Sequence, residues 1–176
     1  VSLPAGVFQD TSGNDNIASN TVSVTFDNTR PTLTITSDAG PSVSGPFVVT
    51  LTFSEGVDPR DGFGGSRTVV GNGTVTDITT VSDSVYTLEI TPSAAGPVTL
   101  DIQDDAASDI AGNGNVAATQ FSVVNDTTLP TVLSVTRATP ADAETDADTL
   151  VFAVTFSEPV ANIDGSDFAF TGTTAA

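Results

Sequence analysis

The chain has 176 residues, of which 22 are acidic and 4 are basic, and its formal net charge is −18 at pH 7. It contains no His and no Cys, which excludes the commonest general base, the thiol nucleophile, disulfides and thiolate metal sites. The negative charge repels phosphate backbones and anionic lipids, and no apolar run is long enough to span a bilayer, so we expect no nucleic-acid partner and no direct membrane insertion.

The first element along the chain is a stretch that occurs twice. Residues 10–31 read DTSGNDNIASNTVSVTFDNTRP, and residues 109–130 read DIAGNGNVAATQFSVVNDTTLP without a gap in the alignment. The spacing of roughly 100 residues is the size of one β-sandwich domain, so the repeat counts whole domains. We therefore predict the last strands of a preceding repeat in residues 1–27, a complete repeat in residues 28–125 and the first strands of a following repeat in residues 126–176.

Within the complete repeat, apolar residues alternate with Ser and Thr in short runs, which predicts β-strands. The Asn72-Gly73 pair predicts a two-residue hairpin, because both residues tolerate positive φ. Residues 56–66, rich in Gly and Asp, are predicted as a loop. About seven strands without a helical period predict an all-β fold, an antiparallel sandwich. The predicted strands cover residues 33–35, 47–53, 67–70, 74–81, 85–91, 97–102 and 119–124.

The last segment begins a similar unit. Its first two strands are predicted around residues 132–135 and 150–156. The second of them ends in Phe156-Ser157-Glu158, which repeats Phe53-Ser54-Glu55, and residues 141–149 contain an insertion relative to the complete repeat. A half-sandwich exposes apolar faces and strand edges, which other molecules can cover.

Oxygen-bearing side chains are predicted to meet where the linker enters the complete repeat. If strands alternate in direction, the loops after the second and the sixth strand lie at that pole, and they carry Glu55 and Asp109, while the linker brings Asp27. Calcium takes six to eight oxygen ligands, so the sequence predicts an interdomain calcium site. The predicted ligands are Asp27, Glu55, Asp109, Asn113 and Asn115, with Asp10, Asn14 and Asn16 in the earlier copy and Asp126 and Glu158 at the next junction.

Two simpler explanations stand beside the metal site. The Asp and Asn side chains can cap the turn by hydrogen bonds, with Gly112 at positive φ and Glu55 solvated. The overall acidity can serve solubility in salt-rich surroundings.

Three motifs give the chain a resemblance to a known family: the Asp-x-x-Gly-Asn-x-Asn loop, the Asp-x-Thr-x-Pro linker and the Phe-Ser-Glu strand end. The chain resembles the bacterial immunoglobulin-like tandem repeats of large surface or secreted adhesins. The resemblance implies immunoglobulin-like sandwiches, an extracellular location at the bacterial surface, a noncatalytic extender role and neighbouring repeats of the same chain as partners. It also implies calcium at domain junctions, with roles for Asp27, Glu55, Asp109 and Asn113.

Two other functions remain open from the sequence. A module that binds carbohydrate or protein would need an exposed aromatic face, and the chain has a single Tyr, Tyr86. Filament assembly would proceed by self-association, with the open half-domains of different molecules pairing through strand addition.

Overall fold

Twelve strands and two short 3-10 helices form the regular structure of residues 1–142 and 144–169, the residues described by a computed structural model of the chain. The chain divides into two units, Val1–Asp126 and Thr127–Ala176. The predicted third segment also runs to Ala176, and its residues from Phe170 onward lie outside the described residues. The strands are β1 (Leu33–Thr36), β2 (Ser42–Val43), β3 (Phe47–Phe53), β4 (Asp58–Pro59), β5 (Thr68–Gly71), β6 (Gly73–Thr80), β7 (Val85–Pro92), β8 (Gly96–Ile102), β9 (Ala107–Ser108), β10 (Phe121–Asn125), β11 (Val132–Thr139) and β12 (Val151–Phe156), and the 3-10 helices are Arg60–Phe63 and Gly165–Asp167.

Two four-stranded sheets form the sandwich of the first unit. Their strand orders are β1-β3-β7-β6 and β2-β10-β8-β5. All pairings in these sheets are antiparallel except that of β2 with β10, which is parallel. This division of strands between two sheets is the immunoglobulin-like arrangement. The fold class expected from the sequence, an all-β immunoglobulin-like antiparallel sandwich, is confirmed.

The period-two pattern of β3 explains how the core forms. Phe47, Val49, Leu51 and Phe53 are buried, and the residues between them point outward or lie half-buried. Buried side chains of β7, β8 and β10 complete the core from the two sheets. Alternation places one face of each sheet inside, so burial of apolar area drives the two sheets together.

The hairpin predicted at Asn72-Gly73 is wrong. Strand β5 pairs with β8 and strand β6 pairs with β7, so the chain crosses from one sheet to the other at this point. Asn72 does take a positive φ of 56°, and its side chain donates to the Ala94 carbonyl at 3.0 Å. A Cβ on Gly73 would lie 3.1 Å from the Thr91 carbonyl oxygen, so the glycine permits a close approach of backbones. The dipeptide predicts a turn, but it does not determine which strands pair on either side of that turn.

The segment predicted as a loop in residues 56–66 contributes to the core. It contains β4, which pairs with β9, and the 3-10 helix Arg60–Phe63. The Phe63 ring is 1% exposed, stacks on Phe53 at 5.9 Å and meets the edge of Tyr86 at 5.1 Å. The Tyr86 hydroxyl donates to the Val57 carbonyl at 2.8 Å. These contacts anchor the chain on both sides of Glu55.

The strands predicted in residues 1–27 do not form. In this segment the structure has an isolated bridge between Gln9 and Asp15, and the backbones of Val1 and Val22 exchange hydrogen bonds. Val24 and Phe26 are 93% and 87% exposed. Without a sheet face to cover these side chains, two extended segments do not make a stable strand pair.

The second unit contains the two strands predicted for it. Strands β11 and β12 pair antiparallel, and the insertion lies in their connection. Ser157 N–H donates to the Thr131 carbonyl at 2.9 Å, and its hydroxyl accepts from Thr131 N–H at 2.9 Å. Ser54 and Thr32 make the same reciprocal pair in the first unit, at 2.9 and 3.0 Å. The Ser of the Phe-Ser-Glu motif therefore joins the strand end to the residue that directly follows the linker in both units.

Candidate metal centre

The loop after β9 is closed by its own side chains. Asn113 N–H donates to Asp109 Oδ1 at 2.8 Å, and the Asn113 amide donates to Asp109 Oδ2 at 2.9 Å. Gly112 N–H donates to the Asp109 carbonyl at 3.1 Å, and Gly112 has a φ of 94°. The turn-capping hydrogen bonds considered from the sequence are therefore present, and they fix the position of the Asp109 carboxylate.

The earlier copy of the loop has the same hydrogen bonds. Asn14 donates through its backbone and its side chain to the Asp10 carboxylate, both at 2.9 Å, and Gly13 has a φ of 84°. This copy forms without a sandwich behind it, so the loop geometry is local in origin.

The predicted ligand Asn115 makes hydrogen bonds that hold the loop. It is fully buried, its Oδ1 accepts from Ala107 N–H at 2.8 Å, and its amide donates to the Gln103 and Val116 carbonyls at 3.0 and 2.8 Å. Asn16 joins the two arms of the earlier loop in the same way. These bonds show that both asparagines hold their loops together.

The linker lies against this loop. The Asp27 carbonyl accepts from the Asn113 amide at 3.2 Å, and Asp27 Oδ1 accepts from Thr29 N–H at 2.9 Å. Pro31 is fully buried, and its carbonyl accepts from Val116 N–H at 2.9 Å. The linker is thus attached to the domain at both of its ends.

Three segments bring their carboxylates to one place. Asp27 comes from the linker, Glu55 from the end of β3 and Asp109 from the loop, and one oxygen of each lies within 4.8 Å of the other two. Asp109 is buried, and Asp27 and Glu55 are partly buried. Among the described residues, this is the one group of three acidic side chains that is close enough to share an ion. The meeting of Asp27, Glu55 and Asp109 agrees with the geometry argued from strand direction.

The three carboxyl groups are not electrostatically equivalent. Burial raises the pKa of Glu55, and the negative charges of Asp109 and Asp27 raise it further. The pKa of Asp109 is lowered, first by the side-chain hydrogen bond from Asn113 and then by backbone N–H groups of the loop, against an opposing effect of burial. Asp109 is therefore held as an anion, whereas burial and the neighbouring negative charges disfavour the ionised form of Glu55.

A surface depression beside the cluster is also acidic. Glu55 and Asp109 line it together with Asp58 and Asp83. The side chain of Asp83 limits the space at Gly56, where an added Cβ would lie 3.1 Å from Asp83 Oδ2. A cation approaching the cluster from this side passes only carboxylates and small or apolar groups.

The remaining predicted ligands belong to other segments of the chain. Asp10 and Asn14 belong to the earlier loop, and no other carboxylate of the described chain forms a three-acid group with Asp10. Asp126 belongs to the first unit and Glu158 to the second.

Sequence reasoning missed Arg30, whose guanidinium donates to two carbonyls of the loop, from Nε to Gly114 at 2.8 Å and from Nη2 to Asn115 at 2.6 Å. The available signal was the scarcity of basic residues, since Arg30 is one of only 4 in the chain. Sequence reasoning also missed the role of Ser54, although the Phe-Ser-Glu repeat marked the residue.

The strand order of the two sheets, with the linker entering at one end of the sandwich, defines an immunoglobulin-like module. Residues 27–124, more than half of the chain, match the family model described as Bacterial Ig-like domain. The chain therefore belongs to the bacterial Ig-like domain family. Comparisons with curated proteins and with solved structures each found no match. Across residues 1–142 and 144–169, no helix is long and apolar enough to cross a membrane.

Proposed function

We propose that this chain is a noncatalytic structural repeat of an extracellular bacterial adhesin or surface filament, stiffened by calcium where the linker meets the domain. Its partners are the neighbouring repeats of the same chain. The observation that carries the proposal is the approach of Asp27, Glu55 and Asp109 to within 4.8 Å of one another. An ion bound by all three would connect the linker to two separate segments of the sandwich.

Calcium is the ion that best suits this set of groups. Three carboxylates can supply several of its oxygen ligands, and backbone carbonyls and water can supply the rest. Zinc prefers His and Cys, which the chain lacks. Magnesium demands near-ideal octahedral geometry and usually keeps several waters, which suits a site built from three independent segments less well.

Calcium would also relieve repulsion within the cluster. With all three groups ionised, like charges lie close together in a partly desolvated place. A divalent cation adds an attraction to each carboxylate that outweighs their mutual repulsion, so binding favours the docked linker over the free one.

Isothermal titration of the chelator-treated chain tests the site. We expect saturable calcium binding that is lost in Glu55→Gln and kept in Glu89→Gln, a matched change on the exposed side of β7. Small-angle scattering tests the stiffening, because removing calcium should change the maximum dimension of the chain. Equal binding by both variants, or a maximum dimension indifferent to chelation, would contradict the proposal.

The carbohydrate-binding alternative gains no specific support from the sandwich, where Tyr86 is 4% exposed and Phe47, Phe53 and Phe63 are buried. Self-association has one observation in its favour. All eight side chains of β11 are exposed, including Val132, Leu133 and Val135. If strand addition between molecules covers these side chains, sedimentation velocity will show mass that grows with concentration. A monomer at every concentration would exclude it.

A further inference from the structure

We propose that Arg30 is a positioning residue that holds the linker on the domain and keeps Asp27 beside Glu55 and Asp109 before any cation binds. The inference takes its functional meaning from the proposed calcium site. The docking itself requires no calcium, so it can be tested separately.

The Arg30 side chain reaches from the linker across to the loop. Its two hydrogen bonds end on consecutive carbonyls, those of Gly114 and Asn115. Nη2 also lies 3.5 Å from Asp104 Oδ1 and 4.0 Å from Asp105 Oδ1. Hydrogen bonds from a charged donor are stronger than neutral ones, and the planar guanidinium can serve two acceptors at once.

This attachment opposes a specific repulsion. Glu55 lies two residues after β3, next to the hydrogen-bonded Ser54, and Asp109 is fixed by its loop. The linker is therefore the segment best able to move away when the three carboxylates repel one another. Arg30 lies three positions after Asp27 and is bonded to the segment that directly follows Asn113. It therefore counteracts the force that the empty cluster exerts on the linker.

The second linker indicates the substitution to make. At the position that matches Arg30 it has Leu129, which has no donor for carbonyl groups. Arg30→Leu consequently removes the hydrogen bonds and the ion pairs while using a residue that the chain itself accepts in this motif. Arg67→Leu is the matched control, because Arg67 also donates to a backbone carbonyl, that of Asp104 at 2.7 Å, but does not belong to the linker.

The experiment measures the distance between linker and domain in the full chain. The chain has no Cys, so the double substitution Asn28→Cys and Ser122→Cys gives two unique sites for spin labels, both at exposed positions. In excess chelator we expect a narrow distance distribution for this labelled chain and for its Arg67→Leu form. We expect a broad one for its Arg30→Leu form. A narrow distribution in the Arg30→Leu form would overturn the proposal.

Calcium titration provides a readout that a purely structural role would not change. If Arg30 keeps the site assembled, Arg30→Leu should weaken calcium binding about tenfold or more, because the apparent dissociation constant rises as the competent fraction falls. Arg30→Lys should restore part of the affinity, since the positive charge and a hydrogen-bond donor group remain, although the planar fork is lost. Unchanged affinity in Arg30→Leu would overturn the proposal, provided that circular dichroism shows a folded sandwich. If the parent chain binds no calcium at all, the proposed function fails, whereas the distance measurement in chelator still decides the role of Arg30.

Discussion

The side-chain amide of Asn113 donates a hydrogen bond to the backbone carbonyl of Asp27, 86 positions earlier in the sequence, at 3.2 Å. The same amide donates to Asp109 Oδ2 at 2.9 Å. One side chain therefore contacts the linker and the loop, the two segments that bring Asp27 and Asp109 to the cluster.

Removing the hydrogen bond from Asn113 to Asp27 should weaken calcium binding more than it destabilises the fold. In Asn113→Ala we expect calcium affinity to fall severalfold, because the linker loses a contact that keeps Asp27 in place. The control is Asn14→Ala in the earlier loop, where Asn14 makes the same bonds to Asp10 but belongs to no three-acid group in the described chain. Titration calorimetry of both variants makes the comparison, and equal affinities would contradict it.

Calcium binding should depend on pH through Glu55. Because the pKa of Glu55 is raised, protons compete with calcium at pH values above the ordinary range of a glutamate, while the lowered pKa of Asp109 keeps that group ionised there. Calcium affinity should therefore fall first as Glu55 takes up its proton. Titrations between pH 7 and pH 4 measure this, and Glu55→Gln removes the dependence together with the binding.

The stability of the calcium-free chain should also depend on pH through Glu55, but it should rise on acidification where calcium affinity falls. A carboxyl group whose pKa is higher in the folded state binds its proton more tightly there, so the free energy of unfolding rises as pH falls through the folded pKa. Asp109 has a lowered pKa, so its stabilising contribution is lost only as pH falls below the ordinary aspartate range. In chelator, the melting temperature should therefore rise on mild acidification, and this rise should be missing in Glu55→Gln. A rise of equal size in that variant would show that other groups cause it.

The two copies of the loop asparagine should differ sharply in their effect on stability. Asn115→Ala leaves the buried Ala107 N–H and two carbonyls without their partner, so the free energy of unfolding should fall by about 3 kcal/mol. Asn16→Ala removes the same bonds from a segment outside the sandwich core, and the change should stay within about 0.5 kcal/mol. Urea denaturation compares the two. Equal losses would mean that residues 1–27 unfold together with the sandwich.

Phe63 should be essential to the sandwich although it comes from an irregular segment. Phe63→Ala removes a ring that packs on Phe53 and Tyr86, and we expect a loss of about 3–5 kcal/mol. Phe26→Ala, at a side chain that is 87% exposed, is the matched control and should leave the melting temperature nearly unchanged. A small effect of Phe63→Ala would mean that the core does not need this segment.

The sequence predicted what depends on local pattern. The alternation in β3 predicted both the strand and its buried face, and the repeated loop placed Asp109 on a turn whose side chains cap it. The positive φ of Asn72 follows from residue type and was predicted. The crossing between sheets was not predicted, because strand pairing depends on partners far along the chain. Phe63 was missed because a single aromatic residue among Gly and Asp has no periodicity.

The candidate site was predicted in part for the same reason. Asp27, Glu55 and Asp109 were found because strand direction alone places their segments at one pole, and they do lie within 4.8 Å of one another. Arg30 and Asn115 act through backbone carbonyls and N–H groups, which a sequence does not display. A charged or amide side chain that binds backbone looks the same in the sequence as one that binds solvent or metal.

The reciprocal hydrogen bonds of Ser54 with Thr32 recur between Ser157 and Thr131, although the turn between the paired strands is longer in the second unit. The serine therefore ties the strand end to the residue after the linker in both units, although the turns differ in length. Turn length in such repeats can drift through insertion and deletion while the acidic residue after the serine keeps its place. A longer turn therefore need not displace the acidic residue that follows the serine, Glu55 in the first unit and Glu158 in the second.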